Sequence, residues 1–359
     1  MSSTTELDPL VATWSRLPGA LEGGNPFVSP AWLNAWLRHR GAAIVPKLVA
    51  PDEITVAPFG EIRRGPLRIW RLLGHEDSDF AGLLSAGTDK GAWDRVFREL
   101  ARRRGEWDLL HLHSVPDAPA ILEAAARHLD VTPTSREYER CPAVRMSPNW
   151  DEFLRTHRKL KYEIRRWAKR LEEQGSVAYE ITRPPIGAAH ARTLEDVERD
   201  SWKWTHGNPM FRAGSQREFL LAAMADPALP AHLWLLRVGS EVAAVSLVLE
   251  GERRWYYYLA TFRDRFRNAG ALLLARIVED AHRAGCTSVS LLRGDHGYKE
   301  AWSDFVEPVH EVIIPSGLRG KVAAATFQLR WRAARSATLH RLRARLFAVG
   351  DRRERPTDG

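Results

Sequence analysis

The chain has 359 residues, 44% hydrophobic and 27% charged, with 14 Trp, 12 Phe and 7 Tyr, which fits a folded protein of about two domains and excludes disorder over most of its length. Lys and Arg exceed Asp and Glu by 53 to 45, a net charge of +8. The longest apolar stretch, residues 242–249, is strand-sized, far below the roughly 18 residues that span a bilayer. In chain order, Ser29 and Pro30 supply an N-cap and a first helical residue for a helix over 31–38. Strands are predicted at 44–50 and 54–59, a helix at 93–103, a strand at 107–113, a helix at 119–128 and a closing segment at 141–146. Ser147-Pro148-Asn149 then punctuates the chain, and one long helix is expected over 150–174. A strand at 176–183 and two helices at 188–205 and 215–224 follow, the second opened by a Ser215-x-x-Glu218 capping box. Three strands come in succession at 232–238, 242–249 and 255–261, with Gly239-Ser240 turning the first into the second. A helix over 270–283 ends at Gly285, and strands at 286–292 and 309–314 flank a Gly294-Asp295-His296-Gly297 loop.

The positive charge is local. Residues 319–345 contain eight basic groups (Arg319, Lys321, Arg330, Arg332, Arg335, Arg341, Arg343, Arg345) and no acidic one. Subtracting them leaves 53 − 8 = 45 basic groups against 45 acidic ones, a neutral remainder. Val322, Phe327, Trp331, Leu339, Leu342 and Leu346 recur near helical spacing among these charges. Such a helix either docks its apolar stripe on its own domain with the arginines solvated, or lies on an anionic membrane surface, a nucleic acid or an acidic partner. Arg outnumbers Lys by 45 to 8 in the chain, a compositional bias that weakens the case for nucleic acid.

The order β-α-α-β-β-β-α-β in the second half differs from doubly wound nucleotide-binding folds, which alternate strand and helix throughout. That order, together with several motifs, resembles the GNAT acyltransferase superfamily, and within it the BioF-like/CelD-like branch associated with polysaccharide biosynthesis. The segment Phe27-Val28-Ser29-Pro30-Ala31-Trp32 is similar to that branch's F-x-S-P-x-W opening. Lys159, Arg165 and Arg166 lie on a basic helix like the branch's own, and Ser201-Trp202-Lys203 resembles its helix-borne Trp. Gly294-Asp295-His296-Gly297-Tyr298-Lys299-x-x-Trp302 resembles its G-D-x-x-Y-K-x-x-W signature. The likeness covers about residues 25–315 and implies an α/β (α+β) chain with a tandem GNAT-like fold. Its expected divisions are an N-terminal tail (1–24), a degenerate GNAT-like half (25–146) and a complete acyltransferase domain (147–315). A basic amphipathic helix (316–348) and a disordered tail (349–359) follow. FemABX peptidyltransferases share the double layout but use aminoacyl-tRNA in place of acyl-CoA.

The resemblance implies acetyl-CoA or another acyl-CoA as co-substrate and direct transfer to a small or sugar-type acceptor. Coenzyme A needs backbone N–H groups and positive charge for its phosphates, and a helix N-terminus supplies both. Arg267, Asn268, Ala269, Gly270 and Ala271 stand at that position, although with one glycine where the family's phosphate loop usually has two. Arg263 and Arg265 add charge just upstream, and Leu259, Ala260 and Thr261 lie on the strand whose amides would face the thioester. Tyr298 is the candidate acid for the leaving sulfur, Asp295 the candidate base, and Lys299 a further catalytic candidate; Glu198 and Asp200 are alternative bases. The basic helix with Arg158, Lys159, Lys161, Arg165 and Arg166 suits an anionic acceptor, with Trp202 and Trp302 as aromatic contacts. The plain alternatives are a turn at Gly294-Asp295, packing by Tyr298 and Trp302, and a solvated helix face.

Metal chemistry is not expected, since His111 and His113 share one strand face with no third ligand nearby, and Cys141 and Cys286 make neither a cluster nor a disulfide framework. No Gly-x-Ser-x-Gly elbow, Walker loop or His-Glu-x-x-His run occurs. Residues 1–9 lack the basic and apolar parts of a signal peptide, so a cytoplasmic location is expected, with membrane contact confined to the basic C-terminal helix. A scaffold that keeps the fold without the chemistry is the non-enzymatic alternative.

Overall fold

The Ser29-Pro30 pair starts a helix as the sequence predicts. The computed structural model, which describes residues 24–75, 77–85, 91–206, 209–294 and 297–335, places α1 at Pro30–His39, with the Ser29 hydroxyl accepting from the Trp32 amide at 3.4 Å. The first half continues through β1 (Val45–Asp52), β2 (Thr55–Arg64), β3 (Leu67–Leu72) and the short β4 (Leu84–Ser85). Then come α2 (Ala92–Arg102), β5 (Leu109–Val115), α3 (Ala118–Leu129) and β6 (Thr134–Arg145). The second half holds α4 (Trp150–Thr156), α5 (Arg158–Glu172), β7 (Val177–Thr182), α6 (Ala188–Arg199), α7 (Trp202–His206) and α8 (Ser215–Ala225). It closes with β8 (Ala231–Val238), β9 (Glu241–Glu250), β10 (Arg254–Phe262), α9 (Ala269–Arg283), β11 (Ser288–Ser290), β12 (Phe305–Pro315) and α10 (Gly317–Arg335).

Three local expectations change. The helix expected over 150–174 breaks at His157, whose φ of −106° and ψ of 59° leave the helical region while its ring Nδ1 donates to the Phe153 carbonyl at 2.9 Å. The one expected over 188–205 breaks after Arg199, where the Ser201 hydroxyl donates back to the Glu198 carbonyl at 2.7 Å. No Ser215 capping box forms: Gly214 precedes α8 without a side-chain cap, and the Ser215 hydroxyl accepts from Arg40 Nη1 at 3.2 Å instead.

The strands form one mixed sheet in the order β1-β2-β3-β5-β12-β6-β11-β10-β9-β8-β7, with β4 beside β2. Its two sides repeat a motif. In each, three antiparallel strands lead through a helix to a fourth strand parallel to the third: β3 with β5 across α2, and β10 with β11 across α9. The strands at the centre are exchanged between the halves. β6, from the first half, pairs with β11 through Val289↔Val144, while β12, from the second, pairs with β5 through Val312↔Leu112. β6 and β12 also pair with each other over their length, so neither half's sheet is complete without the other's last strand. Apolar cores cover both faces. On the second half, α6 and α8 pack one face through Leu194, Val197, Phe219 and Met224, and α9 packs the other through Leu273, Ile277 and Val278.

A buried charge network ties this centre together. Glu311 of β12 accepts from His111 Nε2 of β5 at 2.6 Å and from Arg136 Nε of β6 at 2.7 Å. Burial pushes the Glu311 carboxyl upward, but His111 and Arg136 outweigh it and hold the carboxyl down at about 2. Burial likewise draws His111 below its ordinary value, so its neutral ring donates the bond. Both shifts have one sign for stability. Glu311's contribution is complete above its unfolded value near 4.5 and is lost as pH falls through about 2, and His111 adds a loss that begins below its unfolded value near 6.5. Glu311→Gln is therefore expected to flatten the acid limb of the stability curve by about 2 kcal/mol between pH 7 and pH 3, read as urea-unfolding midpoints. An acid limb unchanged by the substitution would refute the assignment.

α10 packs on the first half through Ala323, Ala324, Phe327 and Trp331 against Ile69, Leu109 and Ile313. Val322, expected in this docked stripe, is instead 62% exposed. Leu339, Leu342, Leu346, Arg341, Arg343 and Arg345 lie outside the described residues.

Candidate active site

β10 and β11 are paired over three positions only, Arg254↔Ser288, Trp255↔Val289 and Tyr256↔Ser290. Beyond Tyr256 the strands part, and Leu292 takes a φ of 60° as the chain turns away from the sheet. The same stretch of β10 carries a bulge: its register against β9 shifts between Tyr257 and Leu259. Tyr258 and Leu259 consequently both face the core under α6 and α8, while Tyr257, Ala260 and Phe262 face α9. One extra residue resets the two-residue period and leaves Tyr257, Ala260 and Phe262 on the face toward α9.

A cavity of about 340 Å³ lies on the α9 side of this stretch of β10. Tyr257, Ala260 and Phe262 of β10 form one wall, Asn268, Gly270 and Ala271 at the start of α9 another, and Trp202 and Lys203 of α7 close it with Tyr298. Asn268 adopts a left-handed φ of 70°, and no side chain caps the helix that it opens. The first turn of α9 thus offers its orphan amides and the positive end of its dipole to the cavity. Gly270 stands close to Phe262: a Cβ there would lie 2.9 Å from Phe262 Cδ1, so a side chain at this position requires the ring to shift.

A shallower depression of about 590 Å³ adjoins the cavity, lined by Arg166 and Arg170 of α5, Arg267, Asn268, Asp264 and Phe262. Trp202, Phe262 and Asn268 line both spaces. Arg166 and Arg170, four residues apart, share a helix face, so the basic helix delivers two guanidinium groups to one edge of the site. Arg263 and Arg265, the other charges expected here, are ion-paired with Asp200 and Glu241, as Arg166 is with Glu163.

Of the sequence-predicted residues, Ala260, Asn268, Gly270, Ala271, Trp202 and Tyr298 come together in the cavity, and Arg267 stands in the depression. Leu259, Ala269 and Thr261 are buried beside it, Thr261 with a hydroxyl that has no hydrogen-bond partner among the described residues. Arg158, Lys159 and Arg165 are exposed on α5 and line neither space. Trp302 is 2% exposed and packs in the core beneath α9. Lys299 is turned inward, its ammonium donating to the carbonyls of Leu292 at 3.0 Å and Arg293 at 2.6 Å, where it braces the turn that parts β11 from β10. Glu198 accepts from the amides of Met210 and Phe211 at 3.1 and 2.7 Å, and Asp200 is held by Arg263, so both alternative bases are engaged in the fold. Asp295 lies outside the described residues.

The sequence did not single out Lys203, Tyr257, Phe262 or Arg170 for roles at the site. Lys203 donates to the Ala260 carbonyl at 2.6 Å, and burial draws its pKa down against the opposing pull of Glu198. It is the only lysine in residues 170–298, a signal that a close reading could have caught. Tyr298 is 45% exposed, yet the protein packed around its ring raises its hydroxyl above the ordinary value near 10, so it bears its proton throughout the neutral range. Among the described residues no group of three or more His, Cys, Asp or Glu is placed to hold a metal ion.

Residues 158–300 match the family model of the acetyltransferase (GNAT) domain. The fold is GNAT-like. Among solved structures, FemX is similar over 87% of this chain and 96% of its own, with a TM-score of 0.58 and 10% identity. The C-terminal (DUF2156) domain of a provisionally assigned lysylphosphatidylglycerol synthetase from Agrobacterium fabrum is similar over 91% of this chain and 97% of its own, at a TM-score of 0.56 and 12% identity. L-PGS from Bacillus licheniformis is similar over 82% and 94%, at 0.51 and 12%. At these identities the likeness is one of fold. No curated protein matches the sequence. The GNAT match runs from the first residue of α5 to the Tyr298 loop and contains every residue placed around the cavity and the depression. It stops before β12, the strand given to the other half.

Proposed function

We propose that this chain transfers an acyl group directly from an acyl-CoA to an amine or hydroxyl acceptor in the cavity between β10, α9 and Tyr298. The observation that carries this reading is the parting of β10 and β11 at the point where the uncapped N-terminus of α9 opens. Coenzyme A fits that geometry: its diphosphate would meet the Gly270 and Ala271 amides, with Arg166, Arg170 and Arg267 beside it, and the pantetheine arm would enter between the strands. A cavity of about 340 Å³ is at the small end for ligand pockets and favours an acetyl-sized group.

In the transfer, the acceptor's lone pair attacks the thioester carbonyl carbon, the new C–N or C–O bond forms, and the C–S bond breaks with its electrons on sulfur. Backbone donors of the bulged segment would face the developing oxyanion. Tyr298, still protonated, would donate a hydrogen bond to the leaving sulfur. Its pKa of about 12 lies above that of an ordinary thiol, about 8.5, so it stabilises the thiolate rather than surrendering its proton. The acceptor's proton would leave through Asp295 or water. The acceptor proposed is small or sugar-type, with the exposed Arg158, Lys159 and Arg165 suited to an anionic one, as in polysaccharide assembly.

The similarity to FemX over most of both chains supports a second reading, in which the same groove takes an aminoacyl ester in place of a thioester. Calorimetry separates the two. Acetyl-CoA is expected to bind in the micromolar range; no binding at millimolar concentration would defeat the CoA reading and leave the aminoacyl one. Tyr298→Phe is expected to lower kcat by roughly 10–100-fold with KM within about threefold, measured by release of free thiol. An unchanged kcat would remove Tyr298 from the mechanism.

A further inference from the structure

We propose that the outward face of α10 is a docking surface for an anionic lipid bilayer. The helix has two apolar faces. At about 100° per residue, Ala323, Ala324, Phe327 and Trp331 fall on the side that packs against β3, β5 and β12. Leu318, Val322, Ala325 and Leu329 fall within about 60° of one another on the opposite side. Leu318 is 78% exposed, Val322 62% and Leu329 64%. Arg319 and Arg330 flank this stripe on one side, Lys321 and Arg332 on the other, and all four are exposed.

The helix is pinned in this orientation. A Cβ at Gly320 would meet the Asp108 carbonyl oxygen at 1.9 Å, and the Ser316 amide donates to the same carbonyl at 2.8 Å. So close a contact with the start of β5 leaves no room for the helix to roll its aliphatic stripe inward.

Charge selects the occupant. The sequence has no acidic residue between Glu311 and Asp351, whereas the chain outside residues 319–345 is balanced at 45 against 45. An aliphatic stripe bordered on both sides by cations matches the boundary between lipid headgroups and acyl chains, with Leu and Val below the phosphates and Arg and Lys among them. A nucleic acid would satisfy the cations but leave the stripe in water. The surface belongs to the first half of the sheet and is independent of the acyl-transfer reading.

The test is co-flotation of the full-length chain with vesicles at about 0.1 M salt. Mixed phosphatidylcholine/phosphatidylglycerol vesicles are expected to retain the protein at least roughly tenfold better than pure phosphatidylcholine. Leu318→Ser/Val322→Ser/Leu329→Ser should reduce partitioning about tenfold while circular dichroism and the melting temperature hold, because these side chains are already in solvent. Arg330→Gln and Arg332→Gln should each reduce it about fivefold. Failure to float with the anionic vesicles overturns the proposal. So does undiminished flotation of the triple serine variant, which would mark a surface that reads charge alone, as an RNA or acidic-protein site would.

Discussion

Gly270→Val is expected to weaken acetyl-CoA binding by at least about 100-fold while the protein stays folded. The position lies in the first turn of α9, lines the cavity, and already stands so close to Phe262 that the first carbon of any side chain would contact the ring at 2.9 Å. Alanine is absorbed if the half-buried Phe262 ring swings aside, and a loss below about tenfold is expected. The two further methyls of valine fill the space in front of the Gly270 and Ala271 amides, and no ring movement restores those donors to a phosphate. Calorimetry on the glycine, alanine and valine proteins, with melting curves as a folding control, makes the comparison. Equal affinity across the three would remove the α9 terminus from the ligand's path and with it the CoA reading.

The second large effect concerns the arginines. Arg166→Ala/Arg170→Ala/Arg267→Ala should raise KM for acetyl-CoA by roughly 100-fold and leave kcat within about threefold, taking about 1 kcal/mol for each phosphate contact at a solvated rim. A shorter donor supplies the control. Acetyl-pantetheine carries none of the nucleotide phosphates, so the native protein should discriminate against it by more than the mutational loss, and the triple variant should keep only the share that the Gly270 and Ala271 amides supply. If the triple variant still prefers the full cofactor by the native factor, the depression beside Trp202 binds something else. It would then suit the anionic acceptor first expected on this helix, and the exposed Arg158, Lys159 and Arg165 would be solvated charge.

Gly270 and its neighbours were legible because strand order places a helix start after the third consecutive strand, and that position is fixed by chain connectivity. Tyr298 was legible from its motif, yet Lys299 beside it was not, because neighbours in a short turn point in different directions. Lys299 meets the Leu292 and Arg293 carbonyls, and Tyr298 the cavity. Of the basic helix, Arg166, named from the sequence, and Arg170, not named, line the depression, and Arg158, Lys159 and Arg165 do not. Arg158 and Arg165 fall about 100° round the helix from Arg166, on an arc set by the packing of Leu160 and Leu171 beneath α9, and Lys159 shares the arc of Arg166 but stands two turns earlier. Lys203 and Phe262 acquire their places only when α7 and the bulged β10 come together.

Local chemistry in the sequence determined the helix start at Ser29-Pro30, the Gly239 turn and the run of strands leading into α9, because each depends on a few adjacent residues. It also determined that the positive charge would collect near the C-terminus. Tertiary structure decided which strands neighbour one another, and so that β6 and β12 change halves and meet through Glu311, His111 and Arg136. It decided as well that the bulge at Tyr257–Leu259 turns Ala260 and Phe262 toward α9, and that Leu318, Val322 and Leu329 face solvent. Strand pairing and helix orientation are settled by contacts between segments distant along the chain, where the free energy of burial exceeds any local preference.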